Sequence, residues 1–193
     1  MDAGFLTPRL SVRRFLPTDG PGLHAYLSRP EAVAFEPYPV QSADACERLA
    51  AERARDPDFW AVCLGDVLIG NLYLHPEEPV AWRTWELGYV FHPDHWGRGY
   101  AHESAAALLD RCFAQGAHRV VAHCDPANPA SWRLLERLGL RREGHLRQNA
   151  SFASDAEGRP VWKDTYPYAV LASEWPQSAD RVRTHGHAAP LSP

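Results

Sequence analysis

The chain is short of cysteine, of long apolar runs and of concentrated positive charge, and each shortage removes a class of protein. Only Cys46, Cys63, Cys112 and Cys124 occur in 193 residues. They stand apart in apolar surroundings without Cys-x-x-Cys or other ligand spacing, so they read as reduced core thiols and not as a disulfide framework. The opening MDAGFLTPRLSVRRF holds no apolar segment long enough for a signal peptide or a membrane span. A cytoplasmic protein without a membrane partner is therefore expected. With 20 Lys and Arg against 24 Asp and Glu, and no basic stripe, nothing marks a nucleic-acid surface. No internal repeat is present.

What remains is ordinary globular composition, 45% apolar and 23% charged. The length suits one domain with a real core and is too short for two generous ones. That domain is expected over 1–175. The stretch PQSADRVRTHGHAAPLSP, 176–193, has no apolar periodicity and is expected to be a disordered tail.

Periodicity gives an alternating order of elements. LSVRRF (10–15) alternates as a half-buried strand does. A short helix is expected over 23–27, then a proline-punctuated loop, RPEAVAFEPYPV (29–40). Ser42 stands as cap before helix formers at 42–55. FWAVCL and VLIGNLYL read as strands joined by a Gly65-Asp66 turn. A strand over 84–91 precedes a helix over 101–113, whose Ala101, Ala105, Leu108, Leu109 and Cys112 share one face. RVVAHC (119–124) reads as a buried central strand. A helix over 131–138 stops at Gly139, and two late strands flank a polar loop, ASFASDAEGRP (150–160). The architecture is α/β (α+β), a mixed sheet with helices on it.

One junction raises a chemical question. YVFHPDHWGRGYAHE (89–103) leaves a strand, places bare backbone at Gly97 and Gly99, and enters a helix. Glycine serves wherever the backbone needs unusual dihedrals, so a tight turn accounts for the pair. Bare amides at a helix N-terminus also form a seat for phosphate. A dinucleotide fingerprint from Gly97 needs glycine or alanine at position 102, where His102 stands. This disfavours a nucleotide-binding oxidoreductase, and a Walker loop fails for want of Gly-Lys-Ser/Thr.

The wider context carries a resemblance. ELGYVFHPDHWGRGYAHESAAALLDRCF (86–113) resembles the central motif of the GCN5-related N-acetyltransferases (GNAT). DPANPASWRLLERLGLRREGHLR (125–147) and WKDTYPYAVLASEW (162–175) look like the RimJ/RimL, ribosomal-protein-alanine, branch. The likeness runs from about Thr7 to Trp175. It implies the GNAT fold, a mixed and mostly antiparallel central sheet flanked by helices. It also implies transfer of the acetyl group of acetyl-CoA directly to a primary amine, through a tetrahedral intermediate. A non-catalytic acyl-CoA-binding module is the alternative, and a homodimer is compatible with either.

Carried over residue by residue, the resemblance puts the coenzyme's diphosphate on Trp96, Gly97, Arg98, Gly99, Tyr100 and Ala101. Trp96 departs from the family's glutamine or arginine, which matters little where main-chain N–H groups do the holding. Tyr89, Val90 and Phe91 are to offer backbone to the pantetheine arm and the thioester oxygen; plain sheet core is the alternative for them. Asn128 is a helix cap and a coenzyme contact. Ser131 takes the place of the leaving thiolate's hydrogen-bond partner, or merely satisfies an amide of the first helical turn. Tyr100 and Tyr166 are reserve donors.

An attacking amine must first lose a proton, and a lysine-like ammonium titrates near ~10.4 and an α-ammonium near ~8. Glu86 is the candidate base. It shares a strand face with Gly88 and Val90, and an acid within an apolar strand is costly unless paired or working. A bond to an arginine, Arg83 or one across the sheet, is the structural alternative. Glu31, Glu36 and Asp164 are candidates to draw a cationic acceptor, with Phe35, Tyr38 and Trp162 as walls. Peptide N-termini, polyamines, aminoglycosides and small amines all fit. His92, His95 and His102 lie in loop spacing that fixes no coordination geometry, and no metal is expected.

Overall fold

Over residues 4–176, which the computed structural model describes, these patterns become nine strands and five α-helices, with three short 3-10 turns between them. In chain order they are β1 (Phe5–Leu6), β2 (Ser11–Arg13), α1 (Gly20–Leu27), α2 (Pro30–Val33), α3 (Ala43–Arg53), β3 (Phe59–Leu64), β4 (Val67–Pro76), β5 (Thr84–Phe91), α4 (Tyr100–Ala114), β6 (Arg119–Cys124), α5 (Pro129–Arg137), β7 (Arg141–Arg142), β8 (Leu146–Ser154) and β9 (Pro160–Leu171). The tail expected over 176–193 lies outside the described residues except for Pro176. No helix of the described residues is long and apolar enough to cross a membrane.

Local chemistry explains the boundaries. Ser42 Oγ accepts the Ala45 N–H at 3.2 Å and starts α3. Asn128 Oδ1 accepts the Ser131 N–H at 3.1 Å and Pro129 opens α5, while Gly139 ends it at φ +92°. Two expectations need correction. The proline-rich stretch contains α2, because Pro30 fits a first helical turn. Much of 150–160 is strand, since β8 and β9 form a hairpin that turns only over 155–159. There Asp155 Oδ1 accepts the N–H groups of Glu157 and Arg159 at 3.0 and 2.9 Å, which tightens the turn more than its composition announces.

The strands form one mixed sheet in the order β1-β2-β3-β4-β5-β6-β9-β7, with β8 paired to β9. Every neighbouring pair is antiparallel except β5–β6. Each face buries its own core. On one, Leu72, Leu74, Leu87 and Phe91 pack with Leu108, Leu109, Leu134 and Leu135 of α4 and α5. On the other, Cys63, Leu68 and Val90 pack with Leu23, Leu27, Cys46 and Ala50 of α1 and α3. All four cysteines are buried and unbridged.

The parallel pair sets the stage for the site. β5 and β6 stay in register only through Thr84↔Arg119, Trp85↔Val120 and Glu86↔Val121. Beyond Glu86, β5 keeps β4 as its partner up to Phe91↔Gly70. β6 instead follows β9 to Cys124↔Tyr166. The two strands therefore part, and the sheet opens between them.

Candidate active site

The opening is a cleft of about 920 Å³. Its walls include Glu86, Gly88, Tyr89 and Val90 of β5, His123 of β6, and Asn128 and Ser131 at the start of α5. Strand register decides what each residue of β5 presents. The His92 N–H bonds to Ile69 O at 2.8 Å. Because alternate residues face the antiparallel partner, Val90 and Gly88 turn their N–H and C=O groups toward β4. Tyr89 and Phe91, past the last β5–β6 pairing, turn theirs toward the opening. The Phe91 carbonyl is already taken by the Trp96 indole N–H at 2.8 Å. Of the three residues expected to offer backbone, Tyr89 alone presents both groups to the split. Val90 does not, and Phe91 is spoken for.

Side chains alternate as well. Glu86 faces the α1–α3 side, as does His123, whose Nδ1 lies 3.2 Å from Glu86 Oε1. The structural alternative for Glu86 is corrected accordingly: its partner is an imidazole from the neighbouring strand and not an arginine. The His123 bond lowers the Glu86 carboxyl below its ordinary range, against the opposing effect of burial. The same bond raises His123. Each group thus favours the other's charged form. Gly88, lacking a side chain, leaves bare floor beside Tyr73, whose Cβ would stand 3.4 Å from a Cβ built there.

On the opposite face Tyr89 reaches α5. Its hydroxyl lies 2.9 Å from Ser131 Oγ and 3.2 Å from the Ser131 carbonyl oxygen. Burial raises the Tyr89 phenol well above its usual range, so it stays protonated and donates. The Ser131 N–H is satisfied by Asn128 and its hydroxyl by Tyr89. Asn128 caps α5 through Oδ1, as its position before Pro129 suggests.

The glycine loop lies beside the cleft and does not line it. Gly97 and Gly99 have φ of +72° and +80°, a region that favours glycine. Residues 96–99 are exposed. Among the described residues, the N–H groups of Gly97, Arg98, Gly99, Tyr100 and Ala101 meet no acceptor, and a Cβ on Gly97 would meet nothing within 4 Å. An exposed row of unpaired amides before a fifteen-residue helix suits a diphosphate. His102, the residue that spoils a dinucleotide fingerprint, turns to α5, with Nε2 3.3 Å from the Arg137 carbonyl oxygen. Trp96 makes a polar contact after all, tying the loop back to the strand.

The acceptor candidates separate. Glu31 lies outside the cleft and pairs with Arg29 at 2.6 Å, whereas Asp164 is on the cleft wall but pairs with His145 at 2.6 Å. Glu36 stays in the cleft with no ion pair among the described residues; burial raises its carboxyl to about 7, against the Tyr38 bond and the Arg53 charge. Phe35, Tyr38 and Phe152 join it on the wall. Trp162 is exposed outside it. Tyr166 packs edge-on against His145, with centroids 5.0 Å apart. His92 and His95 stack on each other in a T shape at 5.5 Å. No group of three metal-ligating side chains occurs among the described residues. Sequence reasoning missed His123 and the Tyr89 side chain. Cross-strand register was the only signal for the first, and it is not visible before the sheet is built.

Residues 9–141 match the acetyltransferase (GNAT) domain family. The uncharacterized N-acetyltransferase YnaD of Bacillus subtilis (strain 168) is 31% identical over 173 residues, covering 88% of this chain and 97% of its own. Among solved structures, an acetyltransferase (GNAT family) from Bacillus anthracis aligns with a TM-score of 0.79 and 29% identity, over 89% of this chain and 99% of its own. The spermidine N-acetyltransferase of Vibrio cholerae, solved with CoA and spermine, shares the fold. Its TM-score is 0.70 at 24% identity, over 86% of this chain and 97% of its own. Sheet, helices and the family's sequence signature agree: the chain belongs to the GNAT acetyltransferases, a family that draws its acetyl group from acetyl-CoA.

Proposed function

We propose that the protein moves the acetyl group of acetyl-CoA directly to a primary amine on a cationic acceptor, with a helix-start serine of the RimJ/RimL type beside the sulfur. The observation that carries this reading is the parting of β5 and β6. It sets Glu86 and His123 on one face of the opening and Tyr89 and Ser131 on the other.

Bound acetyl-CoA supplies an acyl group activated as a thioester. The amides of 97–101 hold the diphosphate, and the Tyr89 N–H is aimed at the carbonyl oxygen, where negative charge grows. Glu86 takes the ammonium proton, directly or through water, while His123 holds its carboxylate in place. Its lowered carboxyl keeps Glu86 ionised and ready at neutral pH. Ser131, polarised by the Tyr89 hydroxyl 2.9 Å away, donates to the departing sulfur. Glu36 and the aromatic wall draw the acceptor's positive charge.

A thiol-release screen over peptide N-termini, polyamines, aminoglycosides and small amines tests the proposal. Turnover with at least one amine is expected, and Glu86→Gln should lower kcat while leaving the KM for acetyl-CoA in place. Coenzyme binding without thiol release from any amine would favour the non-catalytic module. Equal kcat for the variant and the wild type from pH 6 to 9 would remove Glu86 as base.

A further inference from the structure

The first turn of α4 contains a carboxylate at the end of the helix where phosphate is to bind. Glu103 stands four residues past the capping Gly99, and its N–H bonds to Gly99 O at 3.0 Å. An acid here is favourable to the helix itself. It is unfavourable to a second anion at the same helix end.

The N-terminal segment answers that conflict. Thr7 Oγ1 donates to Glu103 Oε1 at 2.6 Å, and the Arg9 N–H donates to the same oxygen at 2.9 Å. Arg9 Nε and Nη2 both lie 2.6 Å from Oε2. Desolvation would raise the Glu103 carboxyl, but these bonds outweigh it and hold the group below its ordinary range. The carboxylate is therefore charged, and its lone pairs are occupied. The same guanidinium reaches the glycine loop. Nη1 donates to the Arg98 carbonyl at 3.0 Å, and Cζ lies 4.6 Å from the Tyr100 ring centroid. Nη2 comes within 3.4 Å of where a Cβ on Gly99 would stand. One side chain, some ninety residues away in sequence, touches residues 98 to 100 and covers the acid behind them.

We infer that Arg9 is a positioning residue for the coenzyme's phosphates, neutralising Glu103 and fixing the 98–100 backbone so that the diphosphate meets amides and not a bare carboxylate. The inference rests on the proposal that residues 97–101 hold the diphosphate. It makes coenzyme affinity depend on the β1–β2 connection, a segment outside the cleft. A guanidinium fork is suited to the task because it satisfies a carboxylate and a carbonyl in one plane.

Coenzyme A binding to the full chain, measured by calorimetry, tests this without an acceptor. Arg9→Gln is expected to weaken CoA roughly tenfold, by exposing an uncompensated charge. Adding Glu103→Gln to it should restore most of that loss, because the repelling charge is gone. Glu103→Gln alone should bind CoA at least as tightly as the wild type. A strut with no electrostatic role gives the opposite pattern, the double variant being as weak as Arg9→Gln or weaker, and this would overturn the inference. So would unchanged affinity in Arg9→Gln. Should Arg9→Gln not fold, Arg9→Lys keeps the charge, and the Glu103→Gln result still decides. Gly99→Val separates the two readings. If it leaves CoA affinity intact, the loop is not the phosphate site. If it weakens CoA while Arg9→Gln does not, only the role of Arg9 fails.

Discussion

Replacing Glu36 by glutamine is expected to stabilise the protein above neutral pH and to leave it unchanged in acid. Burial holds this carboxyl at about 7 in place of the usual 4.5, so ionising it in the fold costs about 3 kcal/mol more than in the unfolded chain. Water entering from the cleft screens part of that, and ~1–2 kcal/mol is the working figure. The sign follows from proton binding: the folded state holds this proton more tightly than the unfolded state. Below about pH 4.5 both states are protonated and Glu36 contributes nothing. As pH rises toward 7 the unfolded carboxyl ionises first, stability falls, and above 7 the loss is constant. Tyr38, Arg53 and Tyr89 are the other ionisable groups that interact with it, and glutamine leaves them in place. Urea denaturation of both proteins from pH 4 to 8.5 therefore isolates Glu36 as a difference curve. Measured from its value at pH 4, that curve should climb through pH 5–7 to a plateau. A flat or falling curve would show that Glu36 is no desolvated carboxylate. The functional counterpart is a raised KM for a cationic acceptor, because an ammonium offsets the burial of this carboxylate. It has no ion-pair partner among the described residues, and the Tyr38 bond and the Arg53 charge compensate it only in part.

Other outcomes follow from the same geometry. Glu86→Gln should let the His123 imidazole fall toward ~6.5, its ordinary value, as read by NMR titration; an unmoved His123 would mean that the 3.2 Å pair is not formed. Its kcat should drop by about 10²-fold, most steeply below pH 8, where the amine is charged. Ser131→Ala should slow turnover several-fold with coenzyme affinity retained, and a wild-type rate would leave Ser131 as part of a helix cap. Trp96→Phe removes the 2.8 Å bond to the Phe91 carbonyl. It should cost about 1 kcal/mol of stability in denaturation and raise the KM for acetyl-CoA.

Local signals carried far into this fold. Ser42, Asn128-Pro129 and Gly139 mark helix ends in the sequence because capping is a matter of a few consecutive residues, and the structure uses each in that way. Glu86 was readable as anomalous, since an acid in TWELGYVF breaks an apolar strand. Its partner was not readable, because His123 becomes a neighbour only when β5 and β6 pair in parallel at Glu86↔Val121. The reach of the β8–β9 hairpin was hidden for a related reason: two late strands are expected from the sequence, but not their continuation through 150–154 and 160–161. Those stretches are mostly exposed and mix Phe152 and Val161 with polar neighbours, so alternation is faint there. Arg9 was equally silent. LTPRLSVRR reads as a basic entry to a strand, and only the packing of β1 and β2 beside α4 gives its charge a partner.

The period-two rule makes the parting of the strands a chemical necessity for the proposed reaction. Glu86 and Tyr89 are three residues apart, so their side chains project from opposite faces of β5. In a continuous sheet, a base on one side and a thiol partner on the other would be separated by a wall of backbone hydrogen bonds. Here the wall ends at Glu86↔Val121. Beyond it β6 turns to β9, and the unpaired Tyr89 amide stands at the rim between the two faces. An acyl group held at that rim is open to an amine from the α1–α3 side while its sulfur stays with Ser131 on the other. Extending the parallel register by two more residues, to pair 87–88 with 122–123, would preserve every side chain named here and still close the passage. The reaction therefore depends on where one pair of strands stops as much as on which residues the strands carry.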